Sequence, residues 1–143
     1  MESRKDTLIH AIRSAAEKIA QTGSYEWGHM GRCNCGHLAR ELTPLSDAEI
    51  QRMAMEKYGD WAEQVLDFCP GSGMSMDWLI SELCSYGLSH RDLIDLERLS
   101  NEEVRSRLGK QDLHRNDAGD VSLYMQTWAG MLEEEILSAE PVS

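Results

Sequence analysis

The stretch Asp117-Ala118-Gly119-Asp120-Val121-Ser122-Leu123-Tyr124-Met125-Gln126-Thr127-Trp128-Ala129-Gly130-Met131-Leu132 decides the fold class. Val121, Tyr124, Met125, Trp128, Met131 and Leu132 form a series in it, and Ile136 continues the series. That spacing of three and four is one face of an α-helix, not the period of two that a half-buried strand requires. Asp117 stands three residues before Asp120, the arrangement that caps a helix start and complements its dipole. The reading is a long C-terminal helix over about 118–138.

The same punctuation recurs upstream. Ser3…Asp6, Ser46…Glu49, Ser89…Asp92 and Ser100…Glu103 each put a cap oxygen three residues ahead of a carboxylate. Stops follow at Gly23, Thr43-Pro44, Gly59, Cys69-Pro70, Gly87, Gly109 and Pro141. Helices are therefore expected near 4–21, 35–42, 47–58, 61–69, 76–86, 90–99, 101–108 and 118–138. Leu8, Ile12, Ala15, Ala16 and Ile19 form an apolar stripe, as do Met76, Leu79, Ile80, Leu83 and Cys84. With seven Ile, four Val and four Thr, the chain has too few β-branched residues for a large sheet. The expected fold is all-α: a single compact domain over 1–143, with seven or eight mostly short helices packed around longer N- and C-terminal ones. Trp61, Trp78 and Trp128 fall on those helices and are expected to anchor the core.

Charge narrows the partners. The chain has 14 Lys and Arg against 25 Asp and Glu, a formal net charge of −11. The deficit lies beyond residue 46, and the first third is close to neutral. An acidic surface repels phosphate backbones, which argues against nucleic acid and favours a basic protein partner. The helical pair expected over 88–115 resembles a helix-turn-helix unit in layout, but it has no basic recognition cluster. No apolar run reaches the roughly 20 residues that cross a bilayer. The start lacks an apolar signal core, so the expectation is a cytoplasmic protein with reduced cysteines.

One segment stands apart from this helical pattern: Gly28-His29-Met30-Gly31-Arg32-Cys33-Asn34-Cys35-Gly36-His37. Thiolates and imidazoles are the donors zinc prefers, so His29, Cys33, Cys35 and His37 form a candidate metal set with zinc as the expected ion. A Cys-x-Cys pair cannot chelate from one helix face, which puts Cys33 outside the helix. Cys69, Cys84, His90 and His114 are alternative fourth ligands. Met53, Met55, Met74 and Met76 add thioethers for a softer ion such as copper(I), although Met53 and Met76 fit core packing better.

A thiol enzyme is the competing reading. At a helix N-terminus Cys35 would have a lowered pKa, with His29 or His37 as base. Two further readings need no chemistry in the segment: buried cysteines that simply pack, and a non-catalytic interaction module. No Cys-x-x-Cys or P-loop is present to support thioredoxin-like or nucleotide chemistry. Trp27, beside Tyr25, is placed to wall a pocket near the cysteine-bearing helix.

Overall fold

The computed structural model describes residues 3–21, 23–110 and 112–139. Among these residues the chain is all-helical: α1 (Arg4–Ala20), α2 (Asn34–Leu42), α3 (Asp47–Ala54), α4 (Trp61–Leu66), α5 (Ser75–Cys84), α6 (His90–Arg98), α7 (Glu102–Leu108) and α8 (Ala118–Ala139). The expected stop at Pro141 lies outside the described residues.

The first and last helices form the largest helix–helix contact. Leu8, Ile12, Ala15, Ala16 and Ile19 on α1 face Val121, Tyr124, Met125, Trp128 and Leu132 on α8, all of them buried. The small alanines of α1 permit close approach, and the Ser122 hydroxyl donates to the Ala16 carbonyl oxygen at 2.8 Å. Arg13 and Glu133 clamp the outer edge of the pair through two hydrogen bonds of 2.9 and 3.3 Å. Helix α2 packs against α1, α3, α5 and α6, so nearly its whole circumference is buried. Such a helix is the central element of a core and not an amphipathic surface layer.

The capping boxes at Ser3/Asp6, Ser46/Glu49 and Ser89/Asp92 all form. A fourth, Asp60/Glu63, starts α4. Ser100 does not cap α7. Leu99 turns into the left-handed region at φ 53° and ψ 46°, and the cap moves to Asn101, whose side chain accepts from Val104 N–H at 3.0 Å. The Ser100 hydroxyl instead bonds Asp95 at 2.8 Å. The Tyr124 hydroxyl accepts from Asn101 N–H at 3.1 Å and ties this turn to α8. The α6–α7 pair thereby completes the bundle.

Two expectations about length and one about burial change. Helix α3 ends at Ala54, not 58, and α4 ends at Leu66, not 69. Short turns follow in which Glu56 and Lys57 bond back only three residues. Trp61 and Trp128 are core residues, but Trp78 is 52% exposed. Helix α5 buries Met76, Leu79, Ile80 and Leu83. A residue two positions from both Met76 and Ile80 points to the opposite side of the helix. Period, not residue size, decides where Trp78 faces.

Candidate functional site

The Gly-His-Cys segment folds as a tight turn that delivers the chain into α2. Arg32 and Cys33 both donate their N–H groups to the His29 carbonyl, at 3.0 and 2.9 Å. Cys33 is the N-cap of α2, outside the helix as expected, and its sulfur accepts from Gly36 N–H at 3.4 Å. Two glycines are required by close approach. A Cβ on Gly31 would stand 2.2 Å from the Asp47 carbonyl oxygen, and one on Gly36 2.4 Å from that of Met30. Both obstacles are backbone, which cannot swing aside as a side chain can.

The turn is bonded outward on every side. Met30 donates its N–H to Gln51 Oε1 and accepts from the Trp61 indole N–H, each at 2.8 Å. Fully buried Asn34 donates to the Leu96 carbonyl at 2.6 Å and accepts from Cys35 N–H at 2.9 Å. Arg32 pairs with Asp47 at 3.0 Å. The segment thus joins α2 to α3, α4 and α6 through hydrogen bonds, of which those of Asn34 are fully buried.

His29, Cys33, Cys35 and His37 do not converge. The His29 Nδ1 accepts from Gly31 N–H at 3.1 Å. The His37 Nε2 donates to the Ser24 carbonyl oxygen at 2.7 Å, and its ring stacks near Tyr25. Burial lowers the His37 pKa. The Cys33 and Cys35 sulfurs turn the other way, towards α6. Of the alternative ligands, Cys69 is exposed, Cys84 is partly buried, and His90 packs edge-on against Phe68 with ring centroids 4.7 Å apart. Among the described residues no three His, Cys, Asp or Glu side chains form a group that could hold a metal ion.

What the two thiols meet is Glu97. Its Oε2 lies 3.9 Å from Cys33 Sγ, while Cys35 Sγ lies 3.6 Å from the Leu93 carbonyl one turn earlier on α6. Glu97 is only 3% exposed. Burial, with a smaller contribution from the Asp60 charge, pushes its pKa up to about 7 against the lowering effect of the thiols and Arg115. Both thiols are pushed well above the ordinary range, first by burial and then by Glu97. The expected lowering of the Cys35 pKa at a helix start is therefore reversed. Desolvation of a fully buried sulfur outweighs a macrodipole whose effect is confined to one turn. Sequence reasoning passed over Glu97, because a charged residue in a capped helix ordinarily faces water.

A second region carries the accessible surface. A cavity of about 610 Å³ opens along α5, lined by Met53, Pro70, Met74, Asp77, Trp78 and Ser81. Lys57 Nζ lies 3.0 Å from Asp77 Oδ1. Burial alone would raise the Asp77 pKa, but the bonds from Ser72 and Lys57 outweigh it and lower it. Met55, Tyr58 and Leu66, from the turns and helix just before, are also exposed. Met53 packs partly into the core and Met76 is fully buried, whereas Met55 and Met74 face outward. No described helix is long and apolar enough to cross a membrane. Compared with protein-family models, curated proteins and solved structures, the chain shows no match.

Proposed function

We propose that this protein is a non-catalytic interaction module whose α5 groove receives an amphipathic, basic segment of another protein. The half-exposed Trp78 at the groove carries the reading. Trp and Met are enriched at docking surfaces, and Trp among the residues that carry most of the binding energy. Five exposed large apolar side chains, Met55, Tyr58, Leu66, Met74 and Trp78, come from one part of the chain. That part, residues 47–86, holds eight acidic and two basic side chains, which complements a basic partner. Thiol and zinc readings have less support: both sulfurs are buried and protonated, and both histidine rings are bonded to the backbone.

A synthetic amphipathic Leu/Lys helix serves as probe, with a Leu/Glu helix of the same apolar pattern as control. The Leu/Lys peptide is expected to bind, to weaken about tenfold or more with Trp78→Ala, and to weaken again in about 0.5 M salt. Equal affinity of the Trp78→Ala protein, or equal binding of the Leu/Glu peptide, contradicts the proposal.

A further inference from the structure

A different surface carries the opposite charge. Trp27, Arg98, Leu113, His114, Arg115 and Asn116 line a cleft of about 290 Å³. No carboxylate lines it, although the chain as a whole is −11. Arg98 and Arg115 have no carboxylate within ion-pair distance among the described residues. The Arg115 guanidinium sits 5.0 Å over the Trp27 ring. A cation–π contact of this kind steadies the guanidinium without using its N–H donors.

The cleft is held by the core. Tyr25, which stacks near His37, donates its hydroxyl to the Arg115 carbonyl oxygen. His114 donates its N–H to Asp120 Oδ2 at 3.0 Å, and Asp117 N–H bonds back to the His114 carbonyl at 3.0 Å. Arg98 follows the buried Glu97 at the end of α6. Four of the lining side chains thus project from one fixed loop, residues 113–116, and Arg98 from a helix end, the rigid support that a binding constellation needs.

We infer that this cleft is a binding site for a small organic anion, a carboxylate or phosphate group on an apolar body. The two guanidinium groups, with five N–H donors each, match the paired oxygens of either oxyanion. Trp27 and Leu113 supply apolar surface for the rest of the molecule. The volume lies just below the lower end of ligand pockets, about 300 Å³, which suits a small molecule. The acidic character elsewhere explains why the site reads as local: a long polyanion reaching beyond the cleft meets repulsion, while a small anion does not.

The test is titration of the full chain at low salt with phenyl phosphate, benzoate, inorganic phosphate and phenol, read by NMR at the Trp27 indole N–H and the Arg98 and Arg115 Nε–H signals. Saturable shifts with phenyl phosphate or benzoate are expected, and whichever binds tighter names the headgroup. Arg115→Gln and Arg98→Gln should each weaken binding about tenfold or more, and Arg115→Lys less than Arg115→Gln. The Tyr25 bond goes to the main chain of Arg115, so these variants keep it, and an unchanged far-UV spectrum checks the fold. No saturable shift, equal affinity for phenol, equal affinity for inorganic phosphate, or unchanged affinity in both Gln variants would overturn the inference. Loss of peptide binding at Trp78 would leave this result untouched, since the two sites share no residue.

Discussion

Glu97 and Cys33 meet inside the core, carboxylate oxygen to sulfur at 3.9 Å, with both side chains almost wholly removed from water. Burial holds the proton on this carboxyl group to about pH 7, and no cation lies within ion-pair distance of it among the described residues. This contact and the amide of Asn34 fasten the Gly-His-Cys segment to α6.

Stability should fall as pH rises through the Glu97 transition. In unfolded chains Glu ionises near pH 4.3, whereas here it ionises near 7. Between those values the folded state holds a proton that the unfolded state has lost, so raising the pH favours unfolding. The effect is on the order of 3 kcal/mol across the window. Glu97→Gln should remove it, giving a variant that gains relative stability at about pH 8 over about pH 4. His37, with its lowered pKa, gives an opposite slope common to both proteins, so the difference isolates Glu97. Urea unfolding at the two pH values checks this; identical slopes in both proteins would refute the placement of Glu97.

Glycine substitutions separate packing from turn geometry. Gly31→Ala and Gly36→Ala push a methyl into backbone at 2.2 and 2.4 Å and should cost about 3 kcal/mol or more. Gly28→Ala and Gly71→Ala meet nothing within 4 Å and should change stability by less than about 1 kcal/mol. Thermal unfolding of the four variants gives the comparison. Equal, small effects at all four positions would mean that the turn does not press against α3 and the Met30 backbone.

Alkylation of the native protein should proceed in a fixed order. Exposed Cys69 reacts first and half-buried Cys84 next. Cys33 and Cys35 should lag by about a hundredfold or more, because they react only after local opening. Mass spectrometry of partially alkylated protein reads the order. Early labelling of Cys35 would restore the reactive-thiol reading.

The helices were legible because their signals are local. Ser3, Ser46 and Ser89 cap as their spacing predicts, and the stripes on α1, α5 and α8 face inward as their period demands. Ser100 failed as a cap because the left-handed Leu99 shifted the next start by one residue, a tertiary adjustment that a three-residue spacing does not encode. The candidate site was harder to read. Donor chemistry drew attention to His29, Cys33, Cys35 and His37, but side-chain direction separated them, the imidazoles to nearby backbone and the sulfurs to α6. Glu97 and Arg98 come to that region from about sixty residues away, and no spacing rule links them to it. Trp27 does line a cleft, but with Arg98 and residues 113–116 and not with the cysteine-bearing helix beside which its neighbours suggested a pocket.

The most direct measurement is a nitrogen-edited NMR titration of the intact protein with the Leu/Lys helix, following the four indole N–H signals together. The Trp78 signal and the amides of α5 and of the α3–α4 turn are expected to shift with one saturation curve, while buried Trp61 stays still. Shifts centred on Trp27 and residues 113–116 with Trp78 unmoved, or no saturable shift at any indole, would contradict the proposal.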